Sequence, residues 1–139
     1  DGVAEPGIEI RKSMDEVFEE ADVIMPGLDL TEETKGLIGK KQFEKMKPGA
    51  LLINTSRGAV LEEKALYEAL RTGEIGGAAC DVFTEEPVTA ENPLLHLENF
   101  IAAPHLGANT EEALKNVGMA VVRELLERLD IQTNEGYRE

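Results

Sequence analysis

The run "ALLINT" at 50–55 is apolar on both of the faces between which a strand's side chains alternate, and no other feature narrows the fold as far. A strand with one wet face shows apolar and polar residues in turn; a run apolar on both faces reads as a buried parallel strand. Three more short runs have strand character: "DVIMPGL" (22–28), which ends irregularly at Pro26 and Gly27, the small-residue run within "IGGAACDVF" (76–82), and "FIAAP" (100–104). "GIEI" (7–10) is expected to add a short edge strand.

Helical patterns lie between these runs. "SMDEVFEEA" begins with Ser13 as N-cap and Glu16 at the capping-box position. "LTEETKGLIG" opens on a cap signal at Thr31, and "KKQFEKM" is a short helical turn stopped by "KPG". "EEKALYEALRTG" places Ala65, Leu66, Ala69 and Leu70 on one side and stops at Gly73. "NTEEALKNVGMAVVRELLERL" is a long helix capped by Asn109 or Thr110. Buried strands alternating with helices predict an α/β domain built on a mainly parallel sheet of about four strands, flanked by helices.

Composition narrows the partners. With 139 residues and 42% apolar content, one domain can bury a real core. A net charge of -14, from 28 acidic and 14 basic residues, argues against nucleic acid and anionic membranes, because phosphate affinity needs clustered positive charge. The single Cys80 has no partner for an internal disulfide, no apolar run reaches the roughly 18 residues of a spanning helix, and the first residues lack a signal-peptide pattern. A reducing cytoplasm is the expected location. No metal-ligand set is assigned.

In parallel α/β sheets ligands sit beyond the carboxyl ends of the strands. That rule selects Leu28 and Asp29, Thr55 to Gly58, Asp81 to Pro87, and Pro104 to Ala108, and among them the charged or titratable Arg57, Asp81, Glu86 and His105. Singly, each has an ordinary reading: a solvated arginine, a turn-capping aspartate, an acidic surface turn in "FTEEP", a histidine beside a tight turn in "PHLGANT". His96 is read as packing or surface. Joint placement after successive strands makes the quartet a candidate site. A histidine paired with a carboxylate serves as general acid or base at a carbonyl oxygen, and an arginine grips a carboxylate at two points. The set fits reduction of a 2-oxo acid, for which a cofactor must supply the hydride.

The stretches "MKPGALLINTSRGAVLEEKALYEALRTGEIGGAACDVFTEEP" and "NPLLHLENFIAAPHLGANTEEA" resemble the second half of the cofactor domain of the D-isomer-specific 2-hydroxyacid dehydrogenases, a family that includes phosphoglycerate dehydrogenase and glyoxylate/hydroxypyruvate reductase. The resemblance covers nearly the whole chain, with three motifs in family order. It implies half of a Rossmann-type doubly wound domain over 1–139. It also implies that Arg57 binds substrate, that Glu86 pairs with the histidine, and that His105 is the acid/base. NAD or NADP would be lined by Leu28, Thr55, Ser56, Arg57, Asp81, His105, Gly107 and Ala108, with Asp81 on the nicotinamide carboxamide. The family's G-x-G-x-x-G turn does not occur in this sequence, and Gly27 and Asp29 stand where members often carry histidine and proline. The glycine-rich first half and the substrate domain are therefore expected to lie outside this chain.

Two classes of function follow. One is a fragment of an NAD(P)-dependent oxidoreductase acting on a small 2-oxo or 2-hydroxy acid, inactive and weakly cofactor-binding alone. The other is a non-enzymatic half-domain that folds by itself and self-associates as a homodimer or larger species through its open sheet edge or helix faces.

Overall fold

A computed structural model describes residues 7–129. The reading of the first residues as signal-free, and the terminal segment after Leu129, fall wholly or partly outside the described residues. The structure divides into two compact units, one ending at His105 and one beginning at Leu106.

The first unit holds α1 (Met14–Glu20), β1 (Val23–Ile24), α2 (Lys40–Phe43), β2 (Leu51–Asn54), α3 (Glu63–Thr72), β3 (Gly77–Cys80) and β4 (Phe100–Ala102). The four strands form one sheet in the order β1-β2-β3-β4, and every pairing is parallel. The expected α/β architecture is therefore the observed one. The second unit holds α4 (Glu111–Arg128), and of the two cap candidates it is Thr110 whose hydroxyl accepts the Ala113 N–H at 3.1 Å.

Local chemistry explains the elements. Ser13 Oγ accepts the Glu16 N–H at 3.2 Å, while the Glu16 carboxylate turns back to the Lys12 N–H at 3.1 Å, one residue earlier than in a standard capping box. α3 ends where Gly73 takes a left-handed φ of 73°, with its N–H turned back onto the carbonyls of Ala69 and Leu70. Leu66, Ala69 and Leu70 of α3 are buried with Phe43 of α2 and Leu52 of β2, so the core lies between these helices and one face of the sheet.

Three expectations need correction. Residues 8–10 form no strand, and Ile8 and Ile10 are exposed. The Thr31 cap starts a turn instead of a helix: Thr31 Oγ1 accepts the N–H groups of Glu33 and Thr34, and Gly36 then takes φ 62°. The following residues are drawn to a different partner, with Gly36 N–H on the Ala59 carbonyl and Ile38 bridging Leu61. The third correction concerns β2, which is apolar on both faces but buried on only one. Leu52 is fully buried, whereas Leu51 is 42% exposed beside Val23 at 53%, and Ile101 on the same face of β4 is 70% exposed.

Candidate active site

The strand register builds the site. Asn54, Cys80 and Ala102 end their strands side by side. The ladder then continues past the strands, with Asp81 N–H on the Asn54 carbonyl at 2.9 Å and His105 N–H on the Asp81 carbonyl at 2.9 Å. Arg57, Asp81 and His105 thus follow neighbouring strand ends on one rim.

Arg57 is carried by a turn that Asn54 shapes. Asn54 is a buried polar residue with no exposure; its Oδ1 accepts the Ser56 N–H and hydroxyl at 3.1 and 2.9 Å, and its Nδ2 donates to the Arg57 carbonyl at 3.0 Å. Every polar atom of the amide is used, which is the condition for burying it. The Arg57 side chain is exposed and its Nη1 donates to the Ser56 carbonyl at 2.7 Å. Gly58, next in line, has no room for a side chain, because a Cβ there would collide with the backbone of Phe83. The arginine turn and the segment leading to Glu86 are therefore in backbone contact.

Glu86 and His105 meet directly. Glu86 Oε1 accepts the Phe83 N–H at 2.9 Å, and Oε2 lies 2.7 Å from His105 Nδ1. The hydrogen bond from His105, then that from Phe83, holds the Glu86 carboxyl below the usual range, with a smaller opposing push from the charge of Asp81. An ionised carboxylate only accepts, so Nδ1 carries the proton and Nε2 is the ring nitrogen that Glu86 does not engage. A depressed folded-state pKa stabilises the contact fully above the unfolded glutamate value of about 4.3, and that stabilisation is lost as pH falls through the folded value. His105 itself has φ 54°, a region non-glycine residues seldom occupy.

The structure brings Glu86, His105 and Asp81 together and sets Arg57 on the adjoining strand end, although no hydrogen bond joins Arg57 to the pair among the described residues. Thr55 is exposed, Ser56 half-buried, and Leu28 packs on the core four residues beyond β1. Gly107 and Ala108 form the turn before α4 in the second unit, where Ala108 has φ 62°. Burial pushes the Cys80 thiol up to about 12, with a smaller contribution from the charge of Glu63, so it stays a neutral core residue. Among the described residues no helix is long and apolar enough to cross a membrane.

Asn54 lies just outside the segments selected by the strand-end rule, and Gly58, inside one of them, was given no role. For Asn54 a signal existed: asparagine at the end of an apolar run, two residues before serine, is the pattern of an Asx turn.

Comparison with known proteins gives consistent matches. Residues 2–107 match the model of the family described as D-isomer specific 2-hydroxyacid dehydrogenase, NAD binding domain. A D-3-phosphoglycerate dehydrogenase of Archaeoglobus fulgidus is 46% identical over 112 residues, which is 81% of this chain and 21% of the relative. A glyoxylate/hydroxypyruvate reductase B of Enterobacter sp. is 44% identical over 84% of this chain and 36% of its own length. The crystal structure of D-lactate dehydrogenase with NAD+ from Lactobacillus jensenii superposes with a TM-score of 0.82 at 28% identity, covering all of this chain and 47% of that one. The chain thus spans between a fifth and a half of the proteins it resembles.

Proposed function

Because this chain belongs to the D-isomer specific 2-hydroxyacid dehydrogenase family, through its NAD-binding domain, we propose that it is part of an NAD(P)-dependent oxidoreductase interconverting a D-2-hydroxy acid and a 2-oxo acid, and that it is inactive alone. The observation that carries the proposal is the 2.7 Å contact between Glu86 and His105 on the rim that also bears Arg57.

The residues present fit the nicotinamide end of such a cofactor. Asp81 is a half-buried acceptor at the end of β3, suited to the amide donors of a carboxamide, and the turns after β2 and β4 flank it. When bound, the reduced nicotinamide supplies the hydride. Arg57 pairs with the substrate carboxylate and turns the adjacent carbonyl toward His105. His105 gives its Nε2 proton to the carbonyl oxygen as the carbon accepts the hydride, and it takes that proton back in the oxidative direction. Glu86 fixes the ring by accepting from Nδ1. Leu28, Thr55 and Ser56 supply backbone and packing contacts to the cofactor.

Pyrophosphate is ordinarily held by a glycine-rich turn at a helix N-terminus. This sequence contains no G-x-G-x-x-G, so the 139-residue chain is proposed to be one half of the cofactor domain. Calorimetric titration of the chain with NAD is expected to show weak binding or none, and no 2-oxo acid reduction. A micromolar dissociation constant would overturn the half-domain reading.

One observation favours the second reading, a self-associating half-domain: the sheet face bearing Val23, Leu51 and Ile101 is apolar and exposed. Parallel sheets are ordinarily covered on both faces. The isolated chain is expected to sediment as a homodimer or larger species, and a folded monomer across a wide concentration range would refute this. A cytoplasmic setting is proposed from the free, buried Cys80, and the acidic charge disfavours nucleic acid and anionic membrane as partners.

A further inference from the structure

We propose that Glu63, in the first turn of α3, is a positioning residue that holds the Glu86 loop against His105; the proposal rests on the reading of Glu86 and His105 as the acid/base pair. The two oxygens of Glu63 take different partners. Oε1 accepts the Thr84 N–H at 2.6 Å, and Oε2 accepts from Asn92 Nδ2 at 3.0 Å. Thr84 and Asn92 are the two ends of the loop that contains Glu86, so one carboxylate ties down both its entry and its exit.

Beyond these bonds the loop is anchored by its buried neighbours Phe83 and Leu94, which share the core with Leu66, Ala69 and Leu70 of α3. Thr84, Glu85, Glu86 and Pro87 are exposed, and Val88 is only partly buried against the core. An open groove of about 980 Å³ runs between α3 and the loop, with Ala65 and Glu68 on one wall and Val88 and Thr89 on the other. Glu63 bridges that groove. Its own helix is immobilised by the burial of Leu66, Ala69 and Leu70, so the carboxylate acts from a rigid element.

The chain of contacts is then continuous. Asn92, held by Glu63, caps the following 3₁₀ turn by accepting the Leu94 N–H at 3.0 Å. Thr84, held at the other end, directly follows Phe83, whose N–H meets Glu86 Oε1 and whose backbone abuts Gly58. Glu63 touches neither Glu86 nor His105 in this chain of hydrogen bonds; it acts through the loop between them. A carboxylate is suited to this task because it offers two acceptors and no donor, whereas an amide offers one of each.

The test uses the 139-residue chain with no cofactor, reading the Glu86 carboxyl by carbon-13 NMR as pH is varied. In the unaltered chain Glu86, bonded to His105 and the Phe83 N–H, is expected to titrate below the usual glutamate range. Glu63→Ala is expected to return it to that range and to shift the Thr84 amide resonance, with the circular dichroism of the fold retained. Glu63→Gln keeps an acceptor for Thr84 but turns a donor toward the Asn92 amide, and a smaller upward move is expected. A folded Glu63→Ala chain in which Glu86 titrates as before would overturn the proposal. If that variant does not fold, Glu63→Gln decides, and no upward move there has the same meaning. The readout needs neither turnover nor NAD, so failure of the dehydrogenase reading would leave the titration result intact, and failure of the titration would leave cofactor binding to be judged separately.

Discussion

Changing His105 to alanine in a full-length enzyme that carries this segment is expected to lower kcat/KM for 2-oxo acid reduction by about 10²–10⁴-fold, the contribution typical of a positioned general acid. The expectation rests on one geometric fact. Glu86 occupies Nδ1 at 2.7 Å, and its carboxyl is held toward the ionised form by that contact and by the Phe83 N–H, so the other ring nitrogen, Nε2, points away from Glu86. The loss should fall mainly on kcat, because the proton moves in the transition state. Steady-state kinetics with a carboxylate-bearing 2-oxo acid reads the effect directly. Undiminished turnover would reduce "PHLGANT" to a turn and remove the main support for an enzyme.

Arg57→Ala in the same enzyme is expected to cost kcat/KM about 30-fold to a few thousandfold, the equivalent of roughly 2–5 kcal/mol for removing one partner of a close charge pair. In this structure the guanidinium leans on its own neighbour, the Ser56 carbonyl, and is exposed. It is therefore available to a carboxylate arriving over the rim. Arg57→Lys should recover only part of the loss, since an ammonium cannot form the two parallel hydrogen bonds of a guanidinium. The decisive control is a carbonyl substrate lacking the carboxylate. If Arg57→Ala slows its reduction by the same factor, the arginine does not act on the carboxylate.

The parts of this structure that could be read in the sequence are those with local causes. α3 is one: its apolar stripe, its length and Gly73 all belong to residues 62–73, and each did what a local rule requires. The Thr31 segment shows the opposite case. Its cap residue is real, but no apolar periodicity follows, its N–H groups are taken by threonine hydroxyls, and residues 36–38 pair instead with residues 59–62 far along the chain. "GIEI" had the alternation of a strand, yet among the described residues no strand pairs with it. The sheet rule brought Arg57, Asp81, Glu86 and His105 to one rim, side-chain chemistry suggested a general acid/base pair and a carboxylate-binding arginine, and the family resemblance added the proposed role of Asp81. Gly58 and Glu63 were given no role because their significance lies in atoms contributed by other segments, whereas Asn54 acts within its own turn and its local signal went unused. A glycine whose missing Cβ makes room for a backbone 25 positions away looks, in sequence, like any glycine after an arginine.

The strand order has a consequence for how the chain folds. Val23 pairs with Leu51, Leu51 with Gly77 and Ala78 with Phe100, separations of 28, 26 and 22 residues. Each strand therefore joins the one made just before it, and no loop longer than one crossover must close at any step. Loop-closure entropy rises slowly with length, but non-local parallel pairing is what makes α/β sheets slow to form. On a ribosome, this sheet can grow in the order of translation, each new strand docking on an edge already in place. The rim residues arrive in the same sequence, Arg57 first and His105 last, so the histidine meets a glutamate whose loop has already emerged.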